Sequence, residues 1–247
     1  HEVQSRMASE NSDATKDGGI ELCHYWKLPT DGDIDAKELE HNCRDIAVAF
    51  LLVDVSDENN IRYAQEIGKF VSTQRYAVSV AILSGIDHVQ IADAATQLFS
   101  DIDAAIDLNK CMVTGGFASP YMAYNIVRGI NSLLVKPGLI GLDATDLTEQ
   151  LQKAGLLYVG FGNIVTNHDN EAMAIATRDA LSQIKCANAK RIVLCLEGKP
   201  CTVSLIDICY SVEIVEKAMP DASILFGATE SESTGDMVRV LIVASVL

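Results

Sequence analysis

The sequence predicts an α/β protein in which a parallel-sheet part is followed by a long helix and then by an α+β part. Residues 46–53 are all apolar, as in a strand that is covered on both faces. Strand-like and helical patterns then alternate as far as residue 108, which is typical of a parallel sheet. Between residues 119 and 135, apolar side chains recur every three to four positions, which indicates one uninterrupted helix.

The first half of the chain contains three predicted strands and two predicted helices. A helix follows the first strand, because Tyr63, Ile67 and Phe70 share one face, and Ser56 or Asp57 is its expected N-cap. The other elements are a strand at 76–83, a helix at 89–99 and a strand at 104–108.

The second half predicts a compact α+β unit. Its expected elements are helices at 144–153, 170–183 and from 205 to a stop at Pro220, with strands at 156–163, 191–197, 223–228 and 237–247. We therefore divide the chain into four parts. They are a disordered or loosely attached segment at 1–33, a first domain at 34–115, a central helix at 116–136 and a C-terminal domain at 137–247.

Composition narrows the classes of partner. The formal net charge is -15, and the 19 basic residues form no cluster along the chain, so we expect no nucleic-acid binding. No apolar run approaches the roughly 20 residues that a membrane-spanning helix needs. The seven cysteines are odd in number and include no C-x-x-C pair, which favours reduced thiols and a cytoplasmic protein.

Several motifs of the second half resemble the FtsZ/tubulin family. Gly129-Ile130 and residues 136–147 are similar to the end of that family's central helix and its acidic synergy loop. Residues 160–162 (Gly-Phe-Gly) resemble a glycine-rich strand, and residues 227–247 align without a gap to the family's C-terminal strands. The resemblance spans roughly 46–247. It implies a truncated, degenerate Rossmann-like GTPase-type domain, a central helix and an FtsZ-like α+β domain, in a cytoskeletal or cell-division protein.

The resemblance also implies candidate site residues. Family members polymerise head to tail, and the acidic loop of one subunit reaches the nucleotide of the next. Asp143 and Asp146 match that loop and are the candidate catalytic pair, and together with Gly141 they form the candidate partner interface. The family has Asn at the position of Gly141. Acids at a helix N-terminus also cap the helix and complement its dipole, so both interpretations stay open.

The positions that would bind nucleotide carry different residues from those of the family. The family holds phosphate on a glycine-rich turn after a strand, but residues 54–60 contain no glycine and three carboxylates, which would repel an anion. The family's guanine-reading Asn falls on Pro120, and the acidic residue after it falls on Tyr121. Its first glycine-rich loop has no counterpart in the N-terminal region. Thr114, Gly115 and Gly116 remain as candidates for nucleotide contact, with a tight turn as the other interpretation.

Metal binding has little support in the sequence. Asp101, Asp103 and Asp107 alternate with apolar residues, and we expect solvated carboxylates at a strand edge rather than a metal site. No metal and no cofactor is expected, and GTP is disfavoured.

The sequence leads to one hypothesis and two alternatives. The hypothesis is a non-hydrolysing FtsZ-like protein whose acidic loop caps or modulates filaments of a GTP-binding relative. The first alternative is a structural protein that assembles with itself without nucleotide, through a segment at 23–29 that carries Tyr25 and Trp26. The second is a residual GTPase of the FtsZ type.

Overall fold

A computed structural model of the chain describes residues 26–29, 32–85, 88–111, 119–136, 138–166, 171–186, 188–200, 202–231 and 234–247. The helices among them are α1 (Ala36–Cys43), α2 (Glu58–Ser72), α3 (His88–Leu98), α4 (Ser119–Val135), α5 (Ala144–Leu151), α6 (Ala172–Gln183) and α7 (Leu205–Ala218). The strands are β1 (Val48–Asp54), β2 (Val78–Ser84), β3 (Ala104–Asp107), β4 (Gly138–Ile140), β5 (Gly155–Val165), β6 (Arg191–Gly198), β7 (Ser223–Glu230) and β8 (Met237–Ser245).

The eight described strands form one sheet in the order β1-β2-β3-β5-β8-β6-β7-β4. The first four strands of this order run parallel, and so do β6 and β7. The remaining pairs, which involve β8 and β4, are antiparallel. The α/β class predicted from the alternating pattern is confirmed. The division into domains at residues 116–136 stays a prediction.

The long helix predicted at 119–135 is observed as α4 with the same bounds. Ile126, Ile130 and Leu133 are almost fully buried, and they belong to a hydrophobic cluster with β2, β3, β5, β6 and β8. The periodicity was informative because one face of this helix packs along the sheet.

Two short elements were not predicted, α1 and β4. Cys43 is the one buried residue of α1, so the helix shows no strong apolar period, although Asp35 caps it by accepting a hydrogen bond from Lys37 N at 2.7 Å. Strand β4 has three residues and pairs with β7. A Cβ at Gly138 would lie 2.1 Å from Ala228 O, so the strands meet closely only because this residue is glycine.

The Gly-Phe-Gly motif in β5 has a packing role. Helix α6 lies directly on this strand, and a Cβ at Gly160 or Gly162 would come within 1.9 Å of Ala180 O or 2.0 Å of Ala176 O. Both contacts are with the helix backbone, which cannot rotate away as a side chain can. The two glycines therefore let the helix approach the strand closely.

Charged side chains join α4 to the C-terminal strands. Arg128 of α4 and Lys136, which directly follows that helix, both approach Glu197 of β6. The Glu197 carboxylate lies 2.5 Å from Arg128 Nη2 and 3.3 Å from Lys136 Nζ, and Arg239 Nη1 of β8 lies 3.6 Å from it. The sequence did not indicate this network, because its members are far apart along the chain.

The N-terminal aromatic residue proposed as an assembly contact packs inward. Trp26 and Leu28 are half-buried against a cluster that includes Cys43, Ala49 and Val71. The other candidate of that segment, Tyr25, lies outside the described residues. The inward packing of Trp26 weakens the idea that this segment forms an interface.

Candidate functional site

The acidic loop lies between β4 and α5. Asp143 is the N-cap of α5, and its Oδ1 accepts a hydrogen bond from Asp146 N at 2.9 Å. In return, Asp143 N donates to Asp146 Oδ2 at 3.4 Å, which completes a capping box. Both acids are exposed. The two carboxylates therefore stabilise the helix start and also present negative charge to solvent.

Gly141 lies at the start of this loop and is exposed. A Cβ at this position would meet no atom within 4 Å, and Gly141 is not among the residues with positive φ. The backbone thus does not require glycine here. A side chain at residue 141 would project into open space beside the acids.

The turn after β1 is closed by its own carboxylates. Asp54 Oδ1 accepts hydrogen bonds from Ser56 N at 3.0 Å and from Ser56 Oγ at 2.7 Å. Asp57, one of the two expected N-caps, is the N-cap of α2 and accepts a hydrogen bond from Asn59 N at 2.9 Å. Asn60 Nδ2 donates to Asp54 O at 3.0 Å. Two backbone amides of this turn, those of Ser56 and Asn59, are therefore already bonded to carboxylates and are not free to bind a phosphate.

The hydrogen bonds from the Ser56 side chain and backbone lower the pKa of Asp54 below its ordinary value. Asp54 is exposed at the end of β1, so its charge is directed towards solvent. The turn stays anionic at neutral pH, which opposes binding of a second anion at the same place.

The acidic loop and the turn after β1 lie at opposite ends of β2. Asp54 pairs with Ser84 at the carboxyl end of that strand. Helix α5 contacts the amino end, where Thr148 Oγ1 donates to Tyr76 O at 3.2 Å. Strands rise about 3.3 Å per residue, so the seven residues of β2 separate the two regions by roughly 20 Å.

Four candidate residues of the nucleotide site lie wholly or partly outside the described part of the chain. Thr114, Gly115 and Gly116 lie outside the described residues, and so does the side chain of Pro120. Tyr121 is half-buried in the first turn of α4, and its carbonyl oxygen accepts a hydrogen bond from Asn125 Nδ2 at 2.9 Å. A role of the 114–116 stretch in nucleotide contact stays a prediction.

The expectation for the aspartates near β3 was wrong for Asp107. Strand β3 lies inside the sheet between β2 and β5, and Asp107 is only 3% exposed. Asp103 is also held in the structure, since its Oδ2 accepts from Ser79 N at 3.0 Å. The alternation with apolar residues favoured a strand at a solvated edge of the sheet. In the structure, β3 is paired on both sides, with β2 and with β5.

A cavity of about 300 Å³ opens where β3 ends, and Asp107, Cys111, Tyr158 and Lys185 are among its lining residues. Asp107 Oδ2 makes no hydrogen bond with a described residue, and Lys110 Nζ lies 3.4 Å from it. Burial, together with the negative charge of Asp107, raises the pKa of the Cys111 thiol to about 12. The thiol therefore stays protonated, and it is a poor nucleophile at neutral pH.

In the described part of the chain, no three His, Cys, Asp or Glu side chains come together in a group that could hold a metal ion. Within the same ranges, no helix is both long enough and apolar enough to cross a bilayer.

The sequence of this chain is similar to those of several division proteins. No known family model matches the chain. Over 124 residues the chain is 32% identical to the mitochondrial division protein fszA of Dictyostelium discoideum, a match that covers 49% of this chain and 24% of that protein. It is 23% identical over 244 residues to cell division protein FtsZ 1 of Thermococcus kodakarensis, covering 88% of this chain and 64% of that protein. The chain thus spans less than two thirds of either relative.

A solved structure has a similar fold over most of this chain. An empty FtsZ dimer from M. jannaschii superposes with a TM-score of 0.73 at 20% identity, and the match covers 85% of this chain and 66% of that chain. The resemblance inferred from the acidic loop and the C-terminal strands is confirmed at the level of the fold. The chain has the fold of the FtsZ/tubulin superfamily.

Proposed function

We propose that this chain is an FtsZ-like cytoskeletal protein that acts through protein–protein contacts and does not hydrolyse GTP. The relatives of similar sequence are named as division proteins, and the FtsZ structure of the same fold is a dimer. These names support a role in division-related assembly. The turn after β1 and the acidic loop, at the two ends of β2, support this mode of action.

The hydrogen bonding in the turn after β1 is the main support for this proposal. Asp54 and Asp57 accept hydrogen bonds from the amides of Ser56 and Asn59, so these amides are not available to a phosphate. A phosphate would have to displace two carboxylates that already have partners and would meet their charge at close range. This end of the molecule is therefore unsuited to hold the γ-phosphate of GTP.

The acidic loop at the other end supports a contact role. Asp143 and Asp146 are exposed, and they hold the start of α5 in a defined geometry. A head-to-tail filament needs two different complementary surfaces on each subunit. A subunit that keeps only the acidic surface would add to one end of a filament and stop its growth. Its partner in this proposal is a nucleotide-binding FtsZ-like protein.

Isothermal titration calorimetry with GTP and Mg²⁺ tests the nucleotide part of the proposal. We expect no saturable heat at protein concentrations of tens of micromolar. A saturable signal with micromolar affinity would instead support the residual GTPase alternative and overturn the interpretation of the turn at 54–60.

Co-sedimentation with filaments of a nucleotide-binding FtsZ tests the contact part. The informative variant is Asp143→Ser with Asp146→Gln, because Ser and Gln at these positions preserve a capping box and remove both charges. We expect this variant to lose co-sedimentation while it keeps its unfolding midpoint. The matched control, Glu216→Ala with Asp221→Ala, removes two exposed acids elsewhere and should co-sediment like the wild type. Absence of wild-type binding, or equal binding by both variants, would contradict the proposal.

A further inference from the structure

Lys136 is the residue at which α4 ends and the chain turns towards β4 and the acidic loop. Its backbone N–H still belongs to the helix, since it donates to Ser132 O at 3.0 Å. Its side chain reaches the sheet, where Nζ lies 3.3 Å from Glu197 Oε1 and donates to Ser231 Oγ at 3.2 Å. The first residue after the helix is therefore fixed both to α4 and to the neighbouring ends of β6 and β7.

The chain that leads to the acidic loop returns to the helix that it left. Leu142 N donates to Leu133 O, in the last turn of α4, at 3.4 Å. Between Lys136 and this point lies β4, which has three residues and an irregular register with β7. A strand this short makes few hydrogen bonds, while ordering each of its residues costs conformational entropy. Anchors at both ends are therefore needed to hold it in one conformation.

The contact of Lys136 with Glu197 differs from the other two ion pairs of this carboxylate. Arg128 and Arg239 connect it to α4 and β8, and their side chains are 4% and 17% exposed. Lys136 is 25% exposed, and of these three basic residues it is the one that leads directly into β4. If Lys136 loses its charge, the buried carboxylate still has both arginines. A change at Lys136 therefore affects the segment before the loop more than the core.

We propose that Lys136 is a positioning residue for the acidic loop. Its side-chain contacts fix the start of the segment that leads to Asp143 and Asp146, so they determine how well these acids are preorganised for a partner. A loop that is already ordered loses less conformational entropy when it binds. The effect on binding rests on the proposed function, whereas the ordering of the loop does not.

A second interpretation of Lys136 is that it only stabilises the end of α4. A positive charge at the C-terminus of a helix complements the helix dipole, and that effect would leave the loop unchanged. The two interpretations differ in which backbone amides Lys136 protects from exchange with solvent. The amides of Leu142 and Asp146 are hydrogen-bonded on the loop side, whereas the amide of Lys136 itself reports on the helix end.

Hydrogen–deuterium exchange of the full chain tests the positioning. Lys136→Met removes the ammonium group and keeps an unbranched stem. We expect roughly tenfold faster exchange at residues 138–147, the effect of losing a hydrogen bond to a charged group. Exchange in α6, which belongs to another hydrophobic cluster, should not change. Lys136→Arg keeps the charge and should exchange like the wild type.

Lys217→Met is the matched control for this substitution. It removes the lysine of an exposed ion pair with Glu213 on α7, and it should leave exchange at residues 138–147 unchanged. Three results for Lys136→Met would overturn the proposal. They are an unchanged loop, faster exchange confined to the last turn of α4, and an equal increase throughout the chain.

Co-sedimentation with filaments of a nucleotide-binding FtsZ tests the consequence for binding. We expect Lys136→Met to bind roughly two- to tenfold more weakly than the wild type, although both loop acids are present, and Lys136→Arg to bind normally. If the wild type does not bind, the proposed function fails, and the exchange experiment still decides whether Lys136 orders the loop. Equal binding by the wild type and Lys136→Met, with faster exchange in the loop, would refute the link between loop order and binding.

Discussion

Glu197 at the end of β6 forms an ion pair with Arg128 of α4 inside the protein, with Oε1 and Nη2 2.5 Å apart and both side chains at most 6% exposed. Lys136 and Arg239 lie near the same carboxylate, so Glu197 forms ion pairs with three basic side chains. Because Arg239 and Glu197 are on neighbouring strands and Arg128 is on the helix above them, the network links α4 to the C-terminal part of the sheet.

Loss of Glu197 should be strongly destabilising. Glu197→Ala leaves the Arg128 guanidinium buried without its carboxylate, and breaking a buried pair in this way costs about 3–5 kcal/mol. The measurement is the free energy of unfolding in urea. Glu213→Ala, which removes the acid of an exposed pair with Lys217, is the matched control and should cost less than about 1 kcal/mol. A similar loss of unfolding free energy for both variants would show that the buried pair stabilises the protein no more than the exposed pair does.

Gly162→Ala should destabilise the contact between β5 and α6. The added Cβ would lie 2.0 Å from Ala176 O, so the helix has to move away from the strand. Overpacking of this kind costs about 1–3 kcal/mol. Gly141→Ala places the same methyl group in open space, and we expect a change within about 0.5 kcal/mol. Chemical unfolding of the two variants side by side measures the difference, and equal midpoints would contradict the close approach.

Long amphipathic elements could be predicted from the sequence because burial of one face leaves a period in the chain. Helix α4 was predicted with its observed bounds for this reason. Helix α1 was missed because it buries one residue, and the position of Asp107 was misjudged because pattern alone does not show which strands flank β3. Pairing order is set by contacts between distant parts of the chain, and the alternation of apolar residues does not encode it.

The acidic residues of the candidate site can be identified from the sequence, but their arrangement in space cannot. The acids of the loop at 141–146 and of the turn at 54–60 are visible in the sequence, and capping by Asp143 and Asp57 follows from their positions before helical patterns. Their separation to opposite ends of β2 depends on how α5 packs near Tyr76, a contact across 72 residues. The sequence gives no sign of such a contact.

Asp143→Ala should weaken the start of α5 by about 1 kcal/mol, because an N-cap acceptor is lost while Asp146 N is left without its partner. Asp143→Ser keeps a side-chain acceptor and should stay within about 0.5 kcal/mol of the wild type. Urea unfolding at neutral pH measures both. If Asp143→Ser is as destabilising as Asp143→Ala, charge rather than capping stabilises this helix start.

The stability of the protein should fall as pH rises from 9 to 11, in part because of Cys43. Burial raises the pKa of this thiol from its ordinary value of 9.0 to about 11. In that window the unfolded chain loses the thiol proton while the folded chain keeps it, so the folded state binds more protons and unfolding becomes more favourable as pH rises. Below pH 9 both states are protonated, and the contribution is constant.

Cys43→Ala isolates this contribution from the other groups that titrate at high pH. Its free energy of unfolding should decline less steeply between pH 9 and 11 than that of the wild type. Cys209→Ala, at an exposed position of α7, is the matched control and should follow the wild-type curve. The measurement is urea unfolding at several pH values across the window. Parallel curves for the wild type and Cys43→Ala would mean that the Cys43 thiol ionises as readily in the folded protein as in the unfolded chain, and that α1 does not shield it from water.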